Sequence, residues 1–122
     1  MAVTTVQIKV KSITLSRDDV VELCGIVDKV GENEERVYRT YELESETGSV
    51  QVESCGEFRT TVWPRNPHSL RLWAHSPSSG RIINLDLKRQ YSHIRISGEN
   101  KDWVSARRQE IGDFIEDHRN TH

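Results

Sequence analysis

The stretch from Leu70 to Ile96 constrains the fold more than any other. Leu70, Leu72 and Ala74 alternate with Arg71, Trp73 and His75, while Ile83, Leu85 and Leu87 alternate with Asn84, Asp86 and Lys88. A period of two sends successive side chains to opposite sheet faces, so one face is apolar and the other polar. Ser76-Pro77-Ser78-Ser79-Gly80 supplies a turn between these runs, and Ile94 and Ile96 follow Arg89-Gln90. Connections this short make the three strands neighbours in an antiparallel meander. Its apolar face needs a cover, and a helix with a single apolar stripe is the natural complement.

Two segments read as such helices. Ser16 is placed to cap the first, Asp18 and Asp19 favour the positive end of its dipole, and Leu15 and Val20 occupy the positions of a hydrophobic staple. Val20, Leu23, Cys24, Val27 and Val30 then recur at helical spacing, which predicts a helix over 17–30 with Gly31 in a left-handed terminal conformation. The second opens at Asn100 or Asp102, and its stripe runs through Val104, Arg107, Arg108, Ile111, Phe114, Ile115 and His118. The arginine stems are expected to snorkel over the sheet edge.

The remaining strands are shorter. Val6, Ile8 and Val10 alternate with Gln7 and Lys9, and the phase shift to Ile13 and Leu15 calls for a bulge or turn near Lys11-Ser12. Val37, Tyr38, Tyr41 and Leu43 lead through Glu46-Thr47-Gly48 to Val50 and Val52, which reads as a hairpin. Between 54 and 68, Pro64 and Pro67 exclude a central strand or a continuing helix. The 122 residues thus predict one α+β domain, 1–122, with no repeat or linker. Its two layers hold a mainly antiparallel sheet of five to six strands in β-α-ββ-βββ-α order, packed with an N-proximal and a C-terminal amphipathic helix.

Two cysteines, Cys24 and Cys55, are too few for a disulfide framework and form no CxxC pair, so buried free thiols in a reducing compartment are expected. No unbroken apolar stretch marks residues 1–15 as a signal peptide, and no run approaches the ~20 apolar residues of a membrane span. These readings predict a soluble, cytoplasmic protein without a membrane partner.

Chemistry is sparse. There is no phosphate-binding glycine loop, no GxSxG and no HExxH, and no cofactor is expected. His68, His75, His93, His118 and His122 are scattered, although His75 and His93 on neighbouring strands could join a cysteine around Zn²⁺. Cys55 before Gly56 could be an exposed nucleophile, and Glu42, Glu44, Glu46 and Glu53 could face one another across the hairpin as an acid–base pair. A turn cysteine and solvated strand carboxylates account for the same residues without catalysis.

Charge is distributed less evenly than the net −2 suggests. Residues 18–57 carry twelve acidic and three basic side chains, a net of −9, while 58–97 carry seven basic and one acidic, a net of +6. On the polar face of the meander Arg71, Trp73, His75, Lys88, His93 and Arg95 come together as a candidate binding surface. A Trp among cations can anchor a protein partner or stack a nucleic-acid base. Alternatively it packs beneath the 54–68 loop or the first helix, and the two charge blocks neutralise each other. The reading that follows is a non-catalytic interaction or regulatory domain, self-associating through complementary acidic and basic faces. A nucleic-acid-binding module using 69–97 is a second reading. A small enzyme or ligand-binding domain, with a pocket between sheet and C-terminal helix lined by Ile94, Ile96, Ile111, Phe114 and Ile115, is a third.

Overall fold

Hydrogen-bond pairing follows the hydrophobic alternation strand by strand. The computed structural model describes residues 2–10, 13–89 and 92–119. In chain order the elements are β1 (Thr4–Val10), α1 (Arg17–Asp28), a 3-10 turn (Lys29–Gly31), β2 (Tyr38–Ser45), β3 (Gly48–Val52), α2 (Glu57–Thr60), β4 (Ser69–Ser76), β5 (Arg81–Lys88), β6 (Ser92–Gly98) and α3 (Lys101–Asp117). The six strands form one antiparallel sheet in the order β1-β6-β5-β4-β2-β3. The meander is its centre, the β2–β3 hairpin joins on the β4 side, and β1 closes on β6. The phase shift expected at Lys11-Ser12 and His122 lie outside the described residues.

One sheet face is the core. Leu70, Leu72, Ala74, Ile83, Leu85, Leu87, Ile94 and Ile96 are buried there with Tyr41, Leu43 and Val52. Val20, Leu23, Cys24 and Val27 of α1 and Val104, Ile111 and Phe114 of α3 belong to the same cluster. Each fully buried aliphatic side chain contributes about 1.5–3 kcal/mol relative to exposure. α1 lies against β4 and α3 against β1 and β6, so both helices share this face.

Local chemistry fixes the helix ends. The Ser16 hydroxyl accepts from the Asp19 amide while the Asp19 carboxylate accepts from the Ser16 amide, a reciprocal capping box. At the other end α1 tightens into the 3-10 turn, and Gly31 does not take the left-handed conformation; Asn33 does, with φ 63°. Gly31 lies in a tight place instead: a Cβ there would come 2.7 Å from Nη2 of Arg39 and 3.0 Å from the Val37 side chain, so both would have to shift. Asn100 caps α3, accepting from the amides of Asp102 and Trp103. Buried Tyr41 donates its hydroxyl to Asp28 at 2.7 Å, and Arg39 bonds the same oxygen at 2.8 Å, which pins β2 to the end of α1.

The stripe of α3 is narrower than the sequence suggests. Arg108 is exposed, whereas Trp103 packs against the core beneath the guanidiniums of Arg81 and Arg107, 4.8 and 5.8 Å from its ring. The segment 54–68 contains the single turn α2, which buries Phe58 against α1. Arg17 reaches across to donate to the carbonyls of Phe58 and Thr61 and covers Trp63 at 4.7 Å.

The expectation of free thiols is overturned: Cys24 and Cys55 are joined in a disulfide, their Cα atoms 5.6 Å apart. No local spacing announces a pair 31 residues apart. The β2–β3 hairpin brings the chain back so that the loop after β3 lands on α1, which places Cys55 over a helix-face cysteine. Reduction, or the Cys24→Ala/Cys55→Ala pair, is expected to lower unfolding free energy by about 3–4 kcal/mol for a loop of this length. A urea midpoint unchanged by reductant would contradict this.

A second clasp joins the start of α1 to the end of α3. His118 stacks on Phe114 at 4.1 Å, shares a hydrogen bond with the Phe114 carbonyl through Nδ1, and meets Asp19 through Nε2 at 3.0 Å. Its pKa is raised, chiefly by the Phe114 carbonyl and then by Asp19, whereas Asp19 is lowered, chiefly by the Ser16 amide. A raised histidine stabilises fully below its unfolded value of about 6.5 and loses that contribution as pH rises through the folded value. The Asp19 contribution is lost in the opposite direction, as pH falls through its depressed value. The melting temperature should therefore decline from pH 6 to pH 8.5, and more steeply in the wild type than in His118→Gln. Parallel profiles would show that the clasp carries no proton linkage.

Candidate interaction surface

Among the described residues, no helix packs on the second face of the sheet. Register arranges its side chains in rows across the strands. One row reads Lys9, His93, Asp86, Arg71, Glu42, Gln51 from β1 to β3. The next reads Gln7, Arg95, Asn84, Trp73, Thr40, and a third Thr5, Ser97, Ile82, His75, Tyr38. Lys88 stands opposite Ser69, which in turn stands opposite Glu44.

All six residues singled out in the sequence therefore lie on this face: Arg71, Trp73 and His75 on β4, Lys88 on β5, His93 and Arg95 on β6. Trp73 is half-buried, with the His75 ring 6.0 Å away, on the face of β4 opposite the one that α1 covers. In the 54–68 loop the tryptophan that packs on the core is Trp63, whose indole donates to the Phe58 carbonyl. Tyr38, 48% exposed, extends the aromatic group, 6.4 Å from His75. Tyr38, Thr40 and Lys9 are not visible as members of the surface from sequence, because β1 and β2 join it only through long-range pairing.

The two charge blocks are interleaved in space. Asp18 pairs with Arg59, Glu34 with Arg81, and Lys88 with Asp86 on its own strand. On the open face Arg71 stands between Asp86 and Glu42 in register, so its charge is flanked by acids. What survives is a gradient: Lys9, His93 and Arg95 on the β1–β6 side, Glu42 and Glu44 on β2. Where the two halves meet, Asn84 has its side-chain oxygen shielded from solvent and without a hydrogen-bond partner among the described residues. Buried polar atoms are nearly always paired, so this one is an exception on the surface.

The catalytic and metal arrangements considered from sequence are not assembled. β5 separates His75 from His93, and both cysteines are consumed in the disulfide. Among the described residues no three His, Cys, Asp or Glu converge on a metal position. Glu42 faces Gln51 and Glu44 faces Ser49, so the hairpin carboxylates do not oppose one another. Ile94, Ile96, Ile111 and Phe114 fill the layer between sheet and α3. A shallow depression bordered by Ile8, Ile13 and Ile115 lies at its outer edge. A cavity of about 250 Å³ opens elsewhere, at the end of the layer between Leu15, Val20 and Trp63 and the strand ends at Leu43, Leu70 and Leu87.

The two faces should respond differently to loss of an indole. Trp73→Ser is expected to cost about 1 kcal/mol or less, as a substitution outside the core. Trp103→Ser, which exposes core and strips two stacked arginines, should cost about 2–4 kcal/mol. Equal losses in urea unfolding would place Trp73 in the core. Comparison of the chain with protein-family models, with curated proteins and with solved structures finds no match.

Proposed function

We propose that this chain is a protein-interaction domain whose binding surface is the uncovered sheet face carrying Trp73, Tyr38, His75 and Arg71. The observation that supports this reading is the one-sided placement of the helices. It leaves two aromatic rings, a histidine and Ile82 grouped on a face that the fold does not need for its own core. Interfaces favour Trp, Tyr and Arg as anchors within a polar rim, and this face has that composition. A nucleic-acid module is supported less well, because Arg71 lies between two carboxylates and phosphate recognition calls for accumulated positive charge.

The role proposed is regulatory or scaffolding rather than catalytic. The cytoplasmic placement expected from sequence rested in part on free thiols, and the Cys24–Cys55 disulfide is more at home in an oxidising environment. No helix among the described residues is long and apolar enough to cross a membrane.

Replacing exposed Tyr38 with photoreactive benzoylphenylalanine, and Arg108 on the outer surface of α3 as a control, tests the surface in cells. Irradiation should give discrete protein adducts from position 38 and none from position 108. Absence of adducts at 38, or equal labelling at both, would overturn the proposal.

A further inference from the structure

We infer that the uncovered face binds a second copy of this chain, through a two-fold axis lying between β4 and β5 and parallel to the strands. This rests on the reading of that face as an interaction surface and names its occupant. The strand register specifies the axis. The sheet order β1-β6-β5-β4-β2-β3 has its midpoint between β5 and β4. A two-fold along the strands keeps each row at its own height and exchanges left for right, so β5 faces β4 of the second copy, β6 faces β2 and β1 faces β3. Asp86 then stands over Arg71 of the second copy, and His93 over its Glu42, each contact occurring twice by symmetry. Asn84 stands over Trp73 of the second copy. Ile82 meets the second copy's His75, next to its Tyr38.

The alternative two-fold, across the strands, sets every strand on its own copy and lays Arg95 against Arg95. Only the axis along the strands turns the gradient into complementarity. Size is also adequate. Six strands about 4.8 Å apart and about seven residues long present a face of roughly 24 by 23 Å. This is enough for the ~1,000 Å² total that a specific interface needs, and two sheets so packed lie about 10 Å apart.

The test reads the register through Thr40, which the proposed axis places opposite Arg95 of the second copy. Within one chain these residues are three strands apart, about 14 Å, beyond the ~8–10 Å range of unscreened surface charge. Sedimentation equilibrium of the wild type should show a mass rising with concentration toward twice 14.1 kDa, and falling back in 1 M salt. Thr40→Glu should tighten the dimer and Thr40→Arg loosen it, each about 3–10-fold from two symmetry-related pairs. Arg95→Glu combined with Thr40→Arg should restore wild-type affinity, with circular dichroism melting confirming that each variant folds. A mass of one chain at ~0.5 mM would overturn the inference, as would Glu and Arg at position 40 acting alike. So would a dimer indifferent to position 40 but abolished by Gln7→Pro, which marks edge pairing through β1. A monomer that still gives adducts with another protein from position 38 would refute self-association and leave the interaction surface standing. A monomer without adducts would refute both.

Discussion

Everything in this structure follows from a sheet that is covered on one side only. Two helices about 10 Å across span roughly 20 Å side by side, close to the ~24 Å width of six strands, so α1 and α3 together cover a single face. The chain has no third long helix among its described residues to lay on the other. Strand alternation is then forced: leucines and isoleucines must point toward α1 and α3, and whatever lies between them is presented outward. The outward set is mostly polar, as it has to be for an uncovered face, yet it includes Trp73, Tyr38 and Ile82. These three are explained by recognition better than by folding.

The parts of the fold legible in the sequence are those written within a few residues. Alternation from Leu70 to Ile96 marked the meander, and Ser16 with Asp19 marked the start of α1, because period and capping act locally. The features that are not legible there depend on contacts distant along the chain. Trp103 is absent from the stripe read in the sequence, and only the passage of Arg81 over it reveals a half-buried platform. Arg108 looked like a stripe member, but the helix rotates it into solvent. The Cys24–Cys55 bond needed the return of the hairpin over α1, which no spacing rule supplies. For the candidate surface, the β4–β6 residues could be assigned to one face by parity alone, whereas Tyr38, Thr40 and Lys9 required the pairing of β2 and β1.

Charge gives the same lesson in electrostatic form. Read linearly, the chain has an acidic half and a basic half. Folding lays the acidic β2 beside the basic β4, sets Asp18 on Arg59 and Glu34 near Arg81, and reduces two blocks of opposite sign to a gradient across one face. Exposed pairs of this kind contribute little stability, about 0–1 kcal/mol each, so their value lies in where they direct a partner rather than in holding the domain together.

The pairing of β1 with β6 has a consequence for how the chain is made. Thr4 finds its neighbour in Gly98, so β1, made before the other five strands of the sheet, is among the last to find a place in it. At about 5–20 residues per second it waits several seconds or more, amphipathic and unpaired, while the hairpin and meander assemble behind it. Its closing contact is among the most non-local in the sheet, the kind whose loop entropy slows folding. The finished domain therefore closes on its own beginning, and a nascent chain short of β6 leaves an edge of the growing sheet, and the strand meant to cover it, both open to other molecules.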